Sequence, residues 1–254
     1  MITIKTPDEI ERMRKSGALL RQVLDALRER IQPGVTTMEL DRFAETMIRD
    51  LGAIPSCKGY EGFPYTLCTS VDDEVVHGFP NDKPLKEGSL LSVDTVLCYD
   101  GWMADSAFTA PVGEVSAEVK KLIRVTEECF FLGASQARTG NRISDISRAV
   151  QKHAESNGFS VIRSYCGHGI GREMHEDPEV PNYLSAGGRG VRLKEGMVIC
   201  IEPMISAGRW LTYIEDNGWV ARTRDHSLCS HYEHTIAITA KGPELLTWPG
   251  RILQ

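Results

Sequence analysis

LKEGSLLSVD (residues 85–94) and LKEGMVICIE (residues 193–202) decide how this chain folds. Each opens with the same four letters, continues as a short apolar-leaning run, and ends on an acid six residues after its glycine. A short apolar run leaving a Lys-Glu-Gly turn predicts a strand. Two copies predict a duplicated unit, with Asp94 and Glu202 ending equivalent strands.

The duplication extends upstream. GVTTMELDRFAETMIRDLGA (34–53) aligns with GNRISDISRAVQKHAESNGF (140–159), Gly34 with Gly140 and Gly52 with Gly158, both 106 residues apart. The first copy carries a capping box, Thr36-x-x-Glu39, and Leu40, Phe43, Met47 and Leu51 at helical spacing. Gly52 and Gly158 suit the left-handed position after a helix. A longer helix precedes each copy. The first is capped by Thr6 with Pro7 next and Glu9 closing the box, and Ile10, Met13, Gly17, Leu20, Leu24 and Leu27 form its face. The second is capped by Ser116, with Val119, Leu122 and Ile123 following. No Pro/Ser-rich linker separates the halves. The expectation is an α+β fold, a single domain over 1–254 with pseudo-symmetric halves about 1–113 and 114–254, its helices covering one side of a shared sheet.

Composition narrows the function. With 254 residues, 41% hydrophobic and 25% charged, the chain is of globular composition. A net charge of −6 opposes nonspecific nucleic-acid binding, which needs a basic surface. No apolar run reaches membrane-spanning length, and the first residues lack the apolar core of a secretory signal. Seven cysteines without a Cys-x-x-Cys pair are expected to be reduced thiols of a cytoplasmic protein, mostly packing residues.

The acids carry the chemistry. Asp100-Gly101 is a hairpin turn signal. A two-residue turn there puts Ala107 opposite Asp94 and Asp105 opposite Val96, so Asp94 and Asp105 become diagonal neighbours on one face. Glu202 matches Asp94, and Glu233, starting the last strand of its half, matches Asp105. A twofold axis between the pairs would gather four carboxylates, an arrangement that needs a cation. His168 lies in the turn of VIRSYCGHGIG, His77 in VVHGFP is expected to be its first-half counterpart, and His175 follows in REMHEDP. At least one imidazole is expected to join the metal. GHGIG is not a dinucleotide loop, since no apolar helix follows it.

VVHGFP, SVDTVLCYDGWMADSAF, YCGHGIGREMHEDP, VICIEPMISAG and SHYEHTI together resemble the type I methionine aminopeptidases, of the pita-bread metallopeptidase superfamily, over nearly the whole chain. The resemblance implies a curved antiparallel sheet and two divalent metal ions held by Asp94, Asp105, His168, Glu202 and Glu233, with Asp105 and Glu233 bridging. Manganese, iron, cobalt or zinc suits four carboxylates and an imidazole. It further implies hydrolytic removal of an N-terminal methionine, preferring a small second residue. Glu202 would take and return a proton, His175 would stabilise the oxyanion, and His77 would contact the amide nitrogen of the departing peptide. The methionine pocket maps onto Cys57, Tyr60, Phe63, Cys68 and Trp219, with His77 and His175 at its edge. Phe63 stands where the family often has Tyr, Met174 where Phe is frequent, Ala104 where Gly is common, and Thr95-Val96 where Val-Thr is usual. The expected partner is a peptide or nascent-chain N-terminus at the ribosome, and the expected form is a monomer. Competing expectations are a proline-directed aminopeptidase of the same fold and a pita-bread binding protein without catalysis.

Overall fold

The computed structural model describes residues 1–185, 188–248 and 250–253. Four α-helices occur among them: α1 Pro7–Arg28, α2 Thr37–Asp50, α3 Ala117–Ala134 and α4 Ile143–Ser156. Thr6 caps α1 and Thr36 caps α2, each closing a capping box with the glutamate three residues on, and Ser116 caps α3. The helices α2 and α4 have equal length and keep the 106-residue offset. Gly34, Gly52, Gly140 and Gly158 all adopt positive φ. In α2 the buried stripe is Leu40, Ala44 and Ile48. Phe43, Met47 and Leu51 flank it, half-buried, so the face is rotated slightly from the expected one.

The strands that matter to function are β1 Cys68–Val71, β2 Leu90–Tyr99, β3 Trp102–Pro111, β4 Gly167–Gly169, β5 Glu176–Val180, β6 Val198–Ile201 and β7 Glu233–Thr239. They belong to a ten-stranded sheet, counted among the described residues, in which β2, β3, β7, β6, β4 and β5 lie side by side and every pairing is antiparallel. The strand β1 pairs with β2 on its outer side. This is the pita-bread architecture, a curved sheet with helices on one side.

The β2–β3 hairpin turns at Asp100 and Gly101, with φ of 51° and 72°, the two left-handed residues of a type I′ turn. Asp94 pairs with Ala107 and Val96 with Asp105, the register expected from the turn. Period-2 alternation then sorts the sheet by face. Leu91, Val93, Leu97, Ala104, Phe108, Ile199, Ile201, Ile236 and Ile238 join Leu20, Leu24, Leu40, Ile48, Phe130 and Ile146 of the helices in one core. The residues between them, Asp94, Asp105, Cys200, Glu202 and Glu233, are left to the opposite face. Helix α1 comes so close to the last strands that a Cβ on Gly17 would lie 2.1 Å from the Leu246 carbonyl oxygen.

Two details of the duplication differ from expectation. His234 pairs with Ile201 and, in the same register, His231 with Met204, so Glu233 faces Glu202 directly, whereas Asp94 and Asp105 are diagonal. A slip of two residues keeps each side chain on the same face, so the acids still converge. His77 is not the counterpart of His168. The place that β4 has beside β6 belongs to β1 beside β2, and counting back from Glu202 and Asp94 makes Ser70 the matching residue. Ser70 accepts a hydrogen bond from the Gly78 amide, and His77 follows the strand Glu74–Val76, which pairs with Ala221–Thr223 in a separate small sheet.

Candidate active site

On the open face of the sheet the side chains of β2, β3, β4, β6 and β7 meet. One ligand atom from each of Asp105, His168, Cys200 and Glu233 lies within 4.8 Å of the others. His168 Nε2 is 3.6 Å from both Asp105 Oδ2 and Glu202 Oε1. Asp94 joins through Asp105, its diagonal neighbour across the β2–β3 ladder, and both line one cavity. All five residues singled out as ligands therefore come together, with Cys200 as a sixth. The sequence marked Cys200 as packing; its alternation with Glu202 in VICIE was the signal that both face the same way.

Electrostatics explain why such a cluster needs a cation. Burial pushes Asp105 up to about 7. Burial and then the neighbouring carboxylates hold Asp94, Glu202 and Glu233 well above the usual carboxylate range. Among the described residues, no Lys or Arg pairs with any of them; their ion-pair partners are His168 and His231. Asp105 Oδ1 and Glu233 Oε1 are buried without a hydrogen-bond partner. Unspent acceptors on anionic side chains are the donor set a divalent metal takes.

His168 is prepared for the same role. Its Nδ1 bonds the Gly169 carbonyl at 2.9 Å, which makes Nδ1 the N–H and leaves the Nε2 lone pair facing the acids. Burial lowers its pKa, so the ring is neutral. His175 packs on His168 with ring centroids 4.4 Å apart, and its Nδ1 is 2.8 Å from the Tyr60 hydroxyl. Burial and then His168 lower His175 to about 4. A neutral ring accepting from Tyr60 at Nδ1 carries its proton on Nε2. Burial and His175 likewise bring His77 to about 4. Its backbone is strained, with φ of 60°.

A cavity of about 140 Å³ opens beside the acids. Cys57, Tyr60, Phe63, Cys68, His77, His175 and Trp219 line it together with Asp94 and Asp105, so every expected pocket residue is present. Val96, Met174 and Glu61 also line it; nothing in the sequence pattern marked Glu61. Phe63 is held edge-on by Trp219 at 5.2 Å and Phe79 at 5.5 Å. A larger cavity of about 580 Å³ around Met1, Ile143 and Pro178 contains none of these residues.

Comparison with known proteins agrees with the geometry. The model of metallopeptidase family M24 matches residues 11–240. The methionine aminopeptidase of Clostridium perfringens is 50% identical over 247 residues, covering 97% of this chain and 99% of that one. The crystal structure of methionine aminopeptidase from Rickettsia prowazekii superposes with a TM-score of 0.95 at 41% identity, covering 97% of this chain and all of that one. The corresponding structure from Thermotoga maritima gives 0.94 at 45% identity, with 97% and 99% covered. With its acids, histidines and pocket so arranged, the chain belongs to metallopeptidase family M24, among its methionine aminopeptidases.

Proposed function

We propose that this chain removes methionine from peptide N-termini with two divalent metal ions, held by Asp94, Asp105, His168, Glu202 and Glu233. The observation that carries this is one cavity lined both by apolar and aromatic side chains and by the carboxylates of Asp94 and Asp105. When bound, such ions lower the pKa of a water and polarise the scissile carbonyl.

The protein's own residues do the rest. Glu202 faces His168 across 3.6 Å and, as a carboxylate, takes a proton from the attacking water and returns it to the leaving amine. His175, with its proton fixed on Nε2 by Tyr60, donates to the oxygen that becomes the oxyanion. His77, neutral and lining the cavity, contacts the amide nitrogen of the departing peptide. The cavity volume of about 140 Å³ is close to the roughly 150 Å³ that encloses a benzene ring, and Cys57, Phe63, Cys68, Val96, Met174 and Trp219 supply its apolar walls. It accepts the unbranched thioether of methionine and resists a β-branched side chain. The histidines crowd the following residue, so Ala, Gly or Ser is preferred there.

The substrate is a free peptide or a nascent-chain N-terminus at the ribosome, met by a monomer in the cytoplasm. Among the described residues no helix is long and apolar enough to cross a membrane. Manganese, iron, cobalt and zinc all suit the donor set. The test is release of methionine from Met-Ala-Ser and Met-Gly-Met-Met against Met-Lys, Val-Ala and Ala-Pro-Ala peptides. Faster cleavage of Ala-Pro-Ala than of Met-Ala-Ser would favour a proline-directed enzyme. No cleavage of any peptide with metal supplied would favour a binding protein.

A further inference from the structure

A centre made of carboxylates carries one soft donor. Cys200 is fully buried, on the face of the sheet shared with Glu202. Its Sγ lies within 4.8 Å of ligand atoms of Asp105, His168 and Glu233. It rests 3.7 Å from the Thr235 hydroxyl, which also accepts from the Asp105 amide and donates to the Asp105 carbonyl. The thiol is therefore tied to the strand that presents Asp105. Two further observations point to a ligand at this spot. Asp105 Oδ1 and Glu233 Oε1 are buried and unpartnered, and His168 Nε2, its lone pair free, lies 3.6 Å from Asp105 Oδ2.

Two carboxylate oxygens, an imidazole nitrogen and a sulfur are the donor types that four-coordinate zinc takes. Zinc takes sulfur at about 2.3 Å and nitrogen or oxygen at about 2.0–2.2 Å, which places ligand atoms roughly 3.3–3.8 Å apart. The cluster spans at most 4.8 Å, so a contraction of about 1 Å completes it. Manganese and magnesium favour oxygen and leave sulfur unengaged, whereas thiolates select softer ions.

We propose that Cys200 is a ligand, with Asp105, His168 and Glu233, for thiophilic divalent ions such as Zn²⁺ and Cd²⁺, so that the centre distinguishes soft from hard ions by engaging its sulfur. This rests on the metal centre proposed above and adds the thiol to it. On binding, the S–H proton passes to solvent and a metal–sulfur bond forms; no oxidation state changes.

The test titrates the metal-free full chain with Cd²⁺, reading thiolate-to-cadmium charge-transfer absorbance, and separately with Mn²⁺ by calorimetry. The wild-type chain should develop the absorbance of a single thiolate. Cys200→Ser and the larger Cys200→Thr should lose it and weaken Cd²⁺ binding by about 10–100-fold, while Mn²⁺ affinity stays within about threefold, less than half a decade. Cys68→Ser, which alters the thiol opposite Asp94, should keep the absorbance. Mn²⁺ binding without any Cd²⁺ absorbance overturns the role of Cys200 and leaves the carboxylate centre standing. Absorbance lost in Cys68→Ser but kept in Cys200→Ser overturns it equally. Failure to bind either ion overturns both this inference and the metal centre beneath it.

Discussion

Replacing Tyr60 by Phe removes one oxygen atom, the hydroxyl 2.8 Å from His175 Nδ1. The ring that lines the cavity is kept, so methionine binding should change little. What is lost is the hydrogen bond that fixes the tautomer of His175 and aims its Nε2 proton. A neutral hydrogen bond contributes about 0.5–1.5 kcal/mol net, a fall of roughly two- to twelvefold in kcat at about 1.36 kcal/mol per decade. His175→Ala removes the proposed oxyanion donor itself and should cost about 10²–10³-fold. Because Tyr60 acts through His175, the two losses should not add: Tyr60→Phe should cost almost nothing further in a His175→Ala background. The assay is steady-state hydrolysis of Met-Ala-Ser by the four proteins of this double-mutant cycle. Equal losses from Tyr60→Phe in both backgrounds, or a loss confined to KM, would refute the reasoning.

Glu202→Gln should keep the fold and lower turnover by at least about 100-fold, since a ligand and the proton acceptor go together; circular dichroism and peptide hydrolysis with metal supplied check both halves. Stripping the metals should reverse the usual pH dependence of stability. Asp105 is raised from 3.8 to about 7, so the folded state holds a proton that the unfolded chain releases above about pH 4. The stabilisation is complete below that and is lost as pH rises through 7. The melting temperature of chelator-treated protein should therefore fall from pH 5 to 7.5, and a flat profile would argue that the acids are not clustered. Gly17→Ala drives a methyl group into the Leu246 carbonyl. An overpacking cost of about 1–3 kcal/mol predicts a drop of about 2–12 °C in Tm, measured by calorimetry on the metal-loaded chain.

The sequence was most legible where local rules act alone. Thr6, Thr36 and Ser116 cap helices because a hydroxyl before an amphipathic run has an unpaired amide to satisfy. Asp100-Gly101 set the register of β2 and β3 because two left-handed residues admit one hairpin geometry, and that register placed Asp94 and Asp105 on one face. Legibility failed where strands far apart in sequence must choose a register. Nothing near Glu233 announces that it faces Glu202 directly, because that pairing is set by the whole β6–β7 ladder. The wrong pairing of His77 with His168 had the same cause: a shared His-Gly dipeptide says nothing about which strand lies beside β2. Asp41, buried in α2 and accepting from the Thr66 and Leu67 amides just before β1, was invisible for a similar reason. A helical acid reads as solvated until the chain it anchors is known. Tyr60 and Cys200 were read singly, as pocket wall and packing. Their second contacts, to His175 and to the acids, exist only in three dimensions.

Five side chains from both halves of the chain are proposed to hold two metal ions. Anomalous diffraction from crystals loaded with Mn²⁺ tests this most directly. Two peaks roughly 3.5–4 Å apart are expected, one touching Asp94, the other touching His168 and Glu202, with Asp105 and Glu233 between them. Metal bound elsewhere, or a well-ordered cluster of these five residues with no metal among them at saturating Mn²⁺, would contradict it.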